Sequence, residues 1–337
     1  MGQYHMSCIQ AAVLLPVAIL GCSNLRAQEI APQKKTVGFL FGTVHPRLKD
    51  GSPIKNAAGN PVAIEQPLGT AFFVSYPDSR LPPKVSFSYL VTAKHVLKDA
   101  DGSYLPKVKL RLNLRGDAGA EFIEDIPVTD DAGKLAWLSH QDGAVDVAML
   151  PFIANEGKFD CMRIPTSMFV DSDAMAKESI AEGDPLYFIG LMTPYYGNQR
   201  NHPVVRRGSL ALMTEEKIET PTGLQNAFIA ELVSWPGNSG SPVLLNLGGM
   251  RGNKIYAGSR VMFLGILAGS FLNRFKATML DTAIVMAGDG VNIGISYIIP
   301  ASRVKEVLET PQAKSQRDAE VENFLKPKPE ETPTRSQ

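Results

Sequence analysis

Residues 234–243 read SWPGNSGSPV, a segment in which one serine lies between glycines on a tight turn. Glycine adopts backbone conformations with positive φ and lets another chain approach the backbone closely. At Ser239 such a turn exposes the hydroxyl and lets the amides of Gly237 and Ser239 converge on one oxygen, as stabilisation of an oxyanion requires. Ordinary loops share this composition, so the segment predicts a nucleophile only together with a base and an acid.

His95 is the best-placed base among the five histidines of the chain. It comes near the end of the apolar run YLVTAKHV at 89–96, where a strand can fix the imidazole at the rim of a cleft. His45 and His140 lie in polar loop segments, and His202 is a weaker alternative.

The segment DVAML at 146–150 begins with a carboxylate, Asp146, and is otherwise apolar. A buried carboxylate needs hydrogen-bond partners, and a histidine N–H is a suitable one. Asp146 is therefore the predicted partner of the base, with a structural capping role as the alternative. Asp142, four residues earlier in a polar turn, is the second choice.

The order of these residues distinguishes among serine hydrolase architectures. No histidine follows Ser239, which excludes the Ser…Asp…His order of the α/β-hydrolases. The subtilisin order requires an acid before His95, and none there lies at a strand end. What remains is the chymotrypsin order, with spacings of 146 − 95 = 51 and 239 − 146 = 93 residues. The base and acid then belong to one lobe and the nucleophile to a second.

Composition narrows the choice of partners and fold class. The 337 residues include 34 basic and 34 acidic ones, so no basic surface for nucleic acid or an anionic membrane is expected. Short β-rich runs such as VGFLFGTV at 37–44 and VKLRLNL at 108–114 alternate with turn residues and predict an all-β architecture. The sequence shows neither a metal-ligand cluster nor a phosphate-binding loop, so no metal and no other cofactor is expected.

The N-terminal segment predicts export. Residues 8–21, CIQAAVLLPVAILG, form an uncharged apolar run of the length found in secretion signals. Cleavage after Ala27 predicts a signal peptide at 1–27, whereas ILGC at 19–22 resembles a lipobox and predicts a lipid anchor at Cys22. The expected location is the periplasm, or the outer membrane if Cys22 is acylated. Cys161 is then the one remaining cysteine, which leaves no internal disulfide.

Six segments, in this order, resemble the trypsin-like serine peptidases, particularly the bacterial HtrA-related branch: GTAFFV at 69–74, LVTAKHV at 90–96, DVAML at 146–150, PGNSGSPV at 236–243, LGILAGS at 264–270 and IGISYIIPASRVKEVL at 293–308. The resemblance covers about residues 36–310. It implies an all-β fold of two six-stranded antiparallel β-barrels, with a C-terminal α-helix. The expected limits are about 36–152 and 183–300 for the barrels, 302–309 for the helix, capped by Ser302, and 311–337 for a disordered tail.

The resemblance also implies a mechanism. His95 is the general base, Asp146 its orienting acid and Ser239 the nucleophile, and the amides of Gly237 and Ser239 form the oxyanion hole. The implied reaction is hydrolysis of polypeptide substrates through a covalent acyl-enzyme. The chain ends soon after the C-terminal helix, which leaves no room for the PDZ domain that HtrA-type proteases usually carry.

For substrate specificity, the resemblance places Val233 at the base of a pocket and Ala268, Gly269 and Ser270 along its wall. These residues are uncharged, so small or medium apolar side chains are the expected preference.

The chain departs from the family at two positions. Lys94 stands where a small residue is usual, which predicts a charge near the cleft. Asn238 replaces the Asp common in digestive enzymes and cannot pair with a new N-terminal amine, so activation of that kind is not expected. The alternatives are a catalytically silent trypsin-like domain that acts as an envelope binding module, and an esterase that uses the same site. The sequence leaves the oligomeric state open.

Overall fold

The computed structural model describes residues 30–220, 222–251, 254–273 and 291–326. The predicted signal peptide at 1–27, including Cys22 and its lipobox, lies outside these residues. No helix within the described ranges is both long and apolar enough to cross a membrane.

The first lobe contains eight strands: β1 (Val37–Val44), β2 (Ile64–Pro77), β3 (Ser86–Thr92), β4 (Lys107–Asn113), β5 (Ala120–Pro127), β6 (Leu138–Ser139), β7 (Ala148–Pro151) and β8 (Ile164–Pro165). They form one sheet in the order β5-β4-β1-β2-β3-β7-β6, and β8 pairs in parallel with β2. Six strands were predicted here, and the six longer ones are antiparallel neighbours. The other two, β6 and β8, have two residues each. They form where connecting segments pair with β7 and β2, respectively.

Within the described ranges, the second lobe contains eight further strands: β9 (Pro185–Gly190), β10 (Val204–Leu212), β11 (Ile218–Thr220), β12 (Gly223–Gln225), β13 (Phe228–Glu231), β14 (Pro242–Arg251), β15 (Lys254–Asn273) and β16 (Val291–Pro300). Six of them close into an antiparallel barrel in the order β10-β13-β16-β15-β14-β9, while β11 and β12 form a separate hairpin. The predicted all-β, two-lobed fold class is confirmed.

Buried aromatic rings hold the two lobes together. Phe72 of β2 lies 5.3 Å from Phe263 of β15 between ring centroids, and Phe169 of the connecting segment lies 4.8 Å from the same ring. Each fully buried aromatic side chain contributes roughly 1.5–3 kcal/mol. The two lobes therefore share one hydrophobic core.

Helices are few and short. The α-helices are α1 (Ser172–Lys177), α2 (Ala301–Leu308) and α3 (Pro311–Leu325), and a helical turn occurs at residues 30–33. The 3-10 helices are Lys34–Thr36, Lys94–Leu97, Arg115–Asp117, Thr166–Met168 and Thr193–Tyr195. The predicted helix at 302–309 begins and ends one residue earlier than expected. It follows Pro300 and has no side-chain cap, so the capping role predicted for Ser302 is wrong.

The expectation of a disordered tail from residue 311 is wrong for residues 311–325, which form α3. Thr310 caps this helix by accepting a hydrogen bond from the N–H of Ala313 at 3.3 Å. Ala313, Arg317 and Val321 are buried at four-residue intervals, so one narrow stripe docks the helix on the first lobe. Because residues 311–325 are mostly polar, their composition did not predict this buried stripe. Residues 327–337 lie outside the described ranges.

Candidate active site

The pairing of β3 with β7 brings His95 and Asp146 together. The 3-10 helix Lys94–Leu97 follows β3, Asp146 lies two residues before β7, and Thr92 pairs with Ala148. Nδ1 of His95 is 2.5 Å from Oδ2 of Asp146, and the backbone N–H of His95 donates to Oδ1 at 3.0 Å. Both carboxylate oxygens thus orient one histidine.

Asp146 is fully buried, whereas the side chain of His95 is 35% exposed. Burial alone raises the pKa of Asp146. Hydrogen bonds from His95 and attraction to it, with a smaller contribution from Lys94, outweigh burial and hold this pKa below its usual value. The ionised carboxylate keeps the shared proton on Nδ1, so Nε2 of His95 is the nitrogen that can accept a proton.

Ser239 lies on a turn that depends on two left-handed glycines, Gly237 with φ 94° and Gly240 with φ 85°. A Cβ on Gly240 would lie 2.1 Å from the carbonyl oxygen of Thr70, so a larger residue does not fit. The carbonyl of Ser239 accepts a hydrogen bond from the N–H of Thr70 at 2.9 Å. A first-lobe strand therefore holds the second-lobe turn.

Thr70 and Asn238 hold this turn from inside, a role that sequence analysis did not assign to them. The Thr70 hydroxyl accepts from the N–H of Leu191 at 2.8 Å and donates to the carbonyl of Gly237 at 2.9 Å. Oδ1 of Asn238 accepts from the N–H of Trp235 at 2.6 Å, and its Nδ2 donates to the carbonyl of Leu191. The available signal for Thr70 was one polar residue inside the apolar run GTAFFV.

The peptide between Pro236 and Gly237 has a fixed orientation. The carbonyl of Pro236 accepts from the N–H of Thr193 at 3.2 Å and from its hydroxyl at 3.3 Å. Because the C=O and N–H of a trans peptide point in opposite directions, the N–H of Gly237 faces away from Thr193. Within the described ranges the amides of Gly237 and Ser239 have no protein acceptor. These two N–H groups are therefore available to donate hydrogen bonds to an oxyanion.

The nucleophile candidate lies where a cleft and a pocket meet. His95, Gly237 and Ser239 line a cleft of about 860 Å³. A neighbouring pocket of about 300 Å³ also includes Ser239. The described residues that line this pocket are uncharged: Ser234, Trp235, Pro236, Ser239, Leu267, Gly269 and Ser270. Sequence analysis did not predict Leu267, which lies in β15 like Gly269.

Two of the four predicted specificity residues, Gly269 and Ser270, line this pocket. The prediction fails for Ala268 and Val233. Ala268 is buried in the hydrophobic core, at an irregularity where the pairing of β15 with β16 shifts register between Leu267 and Gly269. Val233 is 43% exposed and lies outside the pocket lining.

Lys94 has its ammonium group inside the protein. The residue is 8% exposed, and Nζ donates to the carbonyl of Gly143 at 2.7 Å. Burial lowers the pKa of Lys94, and attraction to Asp146 acts in the opposite direction. From the second lobe, the hydroxyl of Thr222 donates to the carbonyl of Ala144 at 3.0 Å. Both lobes therefore hold the turn that leads into Asp146.

Replacing Lys94 by Met should make stability less sensitive to acid. The lowered pKa of Asp146 stabilises the folded protein above the unfolded pKa of about 3.9, and this stabilisation is lost as pH falls through the lower, folded value. Part of it comes from Lys94. The quantity to measure, by urea denaturation, is the free energy of unfolding of the wild type minus that of Lys94→Met. This difference should fall by on the order of 1 kcal/mol between about pH 6 and about pH 2.

The control for this measurement is Lys98→Met, since Lys98 is not among the main influences on the pKa of Asp146. Its stability difference from the wild type should change little over the same pH range. Equal pH dependence in the two variants would contradict a specific interaction between Lys94 and Asp146.

Other candidate residues have separate partners. Nδ1 of His45 is 2.7 Å from Asp99, and Nε2 of His140 is 2.6 Å from Glu306. The carboxylate of Asp142 accepts from a backbone N–H in its own turn at 2.9 Å. The structure thus brings His95 to Asp146 and not to the second-choice acid.

The remaining candidates lie away from Ser239. His202 borders a surface pocket that shares no lining residue with the cleft. Cys161 is half-buried, and burial raises the pKa of its thiol, which disfavours the reactive thiolate. Across the described part of the chain, no group of three or more His, Cys, Asp or Glu residues is placed to hold a metal ion.

Comparison with known proteins gives structural similarity alone: no protein-family model and no curated protein sequence matches the chain. The "HtrA-type protease AlgW with decapeptide" aligns at a TM-score of 0.45 and 17% identity, over 86% of this chain and 74% of that one. The apo MamO protease domain from Magnetospirillum magneticum aligns at 0.41 and 12% identity, over 82% and 97%. The strand topology shows a two-lobed, all-β fold, in which an eight-stranded sheet and a closed six-stranded antiparallel barrel border one cleft.

Proposed function

We propose that the protein is a serine endopeptidase that cleaves polypeptides through an acyl-enzyme on Ser239. The observation that supports this most strongly is the pair of hydrogen bonds by which buried Asp146 orients His95 in the cleft that Ser239 also lines. A histidine held in this way, in a cleft that also contains a serine on a tight turn, is an arrangement suited to nucleophilic acyl transfer.

The reaction proceeds in two halves. Nε2 of His95 takes the hydroxyl proton of Ser239 while the oxygen attacks the carbonyl carbon of the scissile bond. The N–H groups of Gly237 and Ser239 stabilise the oxyanion, and the loss of one such donor typically lowers turnover by about 10²–10³. His95 then protonates the leaving amine as the C–N bond breaks. In the second half His95 deprotonates water, which attacks the ester. His95 then returns this proton to the oxygen of Ser239 as the ester bond breaks, which releases the acid product and the free serine.

The pocket beside Ser239 suggests which substrates fit. Its volume of about 300 Å³ and its uncharged lining favour a small or medium apolar side chain before the scissile bond. Leu267 contributes apolar surface to the lining. The ring of Tyr297 packs over Gly269, because a Cβ at this glycine would lie 2.7 Å from it.

Labelling with a fluorophosphonate probe tests the proposal. At neutral pH the wild type should form a covalent adduct at Ser239, located by mass spectrometry of its peptides, and Ser239→Ala should form none. Ser241→Ala is the matched control, because this hydroxyl is fully buried and has no hydrogen-bond partner among the described residues. It should label like the wild type.

A second readout separates the alternatives. The wild type should cut an unfolded protein and a peptide library mainly after small or medium apolar residues, and predominant cleavage after Lys or Arg would contradict the pocket assignment. Ester hydrolysis without peptide cleavage would identify an esterase. A folded wild type that neither labels nor cleaves would support a silent binding module.

A further inference from the structure

A second concave site lies on the first lobe, between α3 and the ends of β3 and β7. It has a volume of about 540 Å³, and its walls include Val85, Phe87, Phe152, Val321 and Phe324. It shares no lining residue with the cleft or the pocket around Ser239. Mostly apolar concavities of this size that also contain a few polar groups are typical of small-molecule sites.

Arg317 supplies a buried positive charge on the wall of this groove. The residue is 4% exposed, and its Nη1 donates to the carbonyl of Leu308 at 2.8 Å and to the hydroxyl of Tyr89 at 3.2 Å. The guanidinium also lies 4.2 Å above the ring of Tyr76. The N–H groups on Nε and Nη2 have no acceptor within the described ranges.

No carboxylate of the described residues forms an ion pair with Arg317. Glu309 receives a hydrogen bond from Tyr76 at 2.8 Å and pairs with Lys314 at 3.3 Å. Glu320, on the groove wall, makes no ion pair in the described ranges. Buried charges are normally paired, so a guanidinium with spare donors beside an apolar groove points to an anionic ligand.

Ser88 gives an independent indication on the same groove. It is 5% exposed, and its hydroxyl has no hydrogen-bond partner in the described ranges. Buried hydroxyls are usually satisfied, because leaving one unpaired is costly. The groove thus combines an apolar wall, a buried cation without an ion pair in the described ranges, and a hydroxyl without a hydrogen-bond partner there.

We propose that this groove binds an aliphatic monocarboxylate, a single-chain fatty acid. The carboxylate accepts charge-assisted hydrogen bonds from the free N–H groups of Arg317, and the chain lies against Val85, Phe152 and Phe324. The strands below the groove, β3 and β7, lead at their other ends to His95 and Asp146. The inference does not depend on the proposed peptidase activity.

Titration calorimetry with dodecanoate, below its micelle concentration, tests this on the full chain carrying Ser239→Ala. We expect saturable binding at one site and at least about tenfold weaker binding of dodecan-1-ol and of dodecyltrimethylammonium. Shortening the acid by one CH₂ should weaken binding about three- to fourfold. Equal binding of the acid and the alcohol would overturn the proposal, as would no saturable binding by folded protein.

Two variants and one control locate the ligand. Arg317→Gln should bind dodecanoate at least about tenfold more weakly. Arg80→Gln, which removes an exposed guanidinium already paired with Asp78 and Asp318, should bind like the parent. Because Arg317 also caps α2, Val85→Trp provides a test that leaves this contact intact, and it should block the groove. Undiminished binding in folded Val85→Trp would place the ligand elsewhere and contradict the proposal.

Discussion

Asp146→Asn should lower kcat/KM for a peptide substrate by about 10⁴. Both oxygens of Asp146 accept hydrogen bonds from His95, one from its backbone N–H and one from Nδ1. An amide has one oxygen, so if it keeps the backbone contact, its NH₂ group faces Nδ1 and donates to it. The ring proton then moves to Nε2, and His95 loses the lone pair that takes the proton of Ser239.

The control is Asp142→Asn, which makes the same chemical change four residues away. Asp142 contacts a backbone N–H in its own turn and does not contact His95, so kcat/KM should change less than about twofold. Circular dichroism establishes that both variants fold. Retention of more than a tenth of wild-type activity by Asp146→Asn would contradict the role proposed for this carboxylate.

Gly240→Ala should both destabilise the protein and disable the nucleophile. The new Cβ would lie 2.1 Å from the carbonyl oxygen of Thr70 and 2.4 Å from the hydroxyl of Thr92, in a backbone conformation with φ 85°. Strain and overpacking together should cost roughly 2–5 kcal/mol. The turn must shift, and a displacement of about 1 Å at Ser239 should lower kcat/KM about 10²-fold.

Gly102→Ala separates these two causes. Gly102 has φ 84°, nearly that of Gly240, but a Cβ there meets no atom within 4 Å. This variant should lose about 1 kcal/mol in thermal or urea unfolding and keep full activity. If the two variants behave alike, the effect of Gly240→Ala comes from backbone strain and not from contact with Thr70 and Thr92.

Local sequence patterns predicted strands well where both faces of the strand are buried. VGFLFGTV at 37–44 coincides with β1, which lies between two neighbours. The segment DVAML at 146–150 pairs as a strand only from Ala148, because Asp146 turns inward to His95 before pairing begins. The helix α3 was missed because its docking stripe includes Arg317, a residue that composition assigns to solvent.

The chemistry of the side chains identified His95, Asp146 and Ser239 as candidates. In the structure, strand pairing brings His95 to Asp146, and His95 and Ser239 line the same cleft. It did not reveal Thr70 as a support of the turn, because its partners Gly237 and Leu191 are more than a hundred residues away. Ala268 was misplaced for a related reason. The side to which a strand residue points depends on the register of β15, which the sequence leaves undetermined.

The hydrogen bonds of Thr70 have a consequence for the order of events during synthesis. Thr70 emerges from the ribosome with the first lobe, together with His95 and Asp146, long before Leu191 and Ser239. The turn at Ser239 gains its supports only after both lobes are complete and docked. A nascent chain without the second lobe therefore has no support for the turn at Ser239, so any hydrolytic activity of this serine is withheld until the second barrel closes.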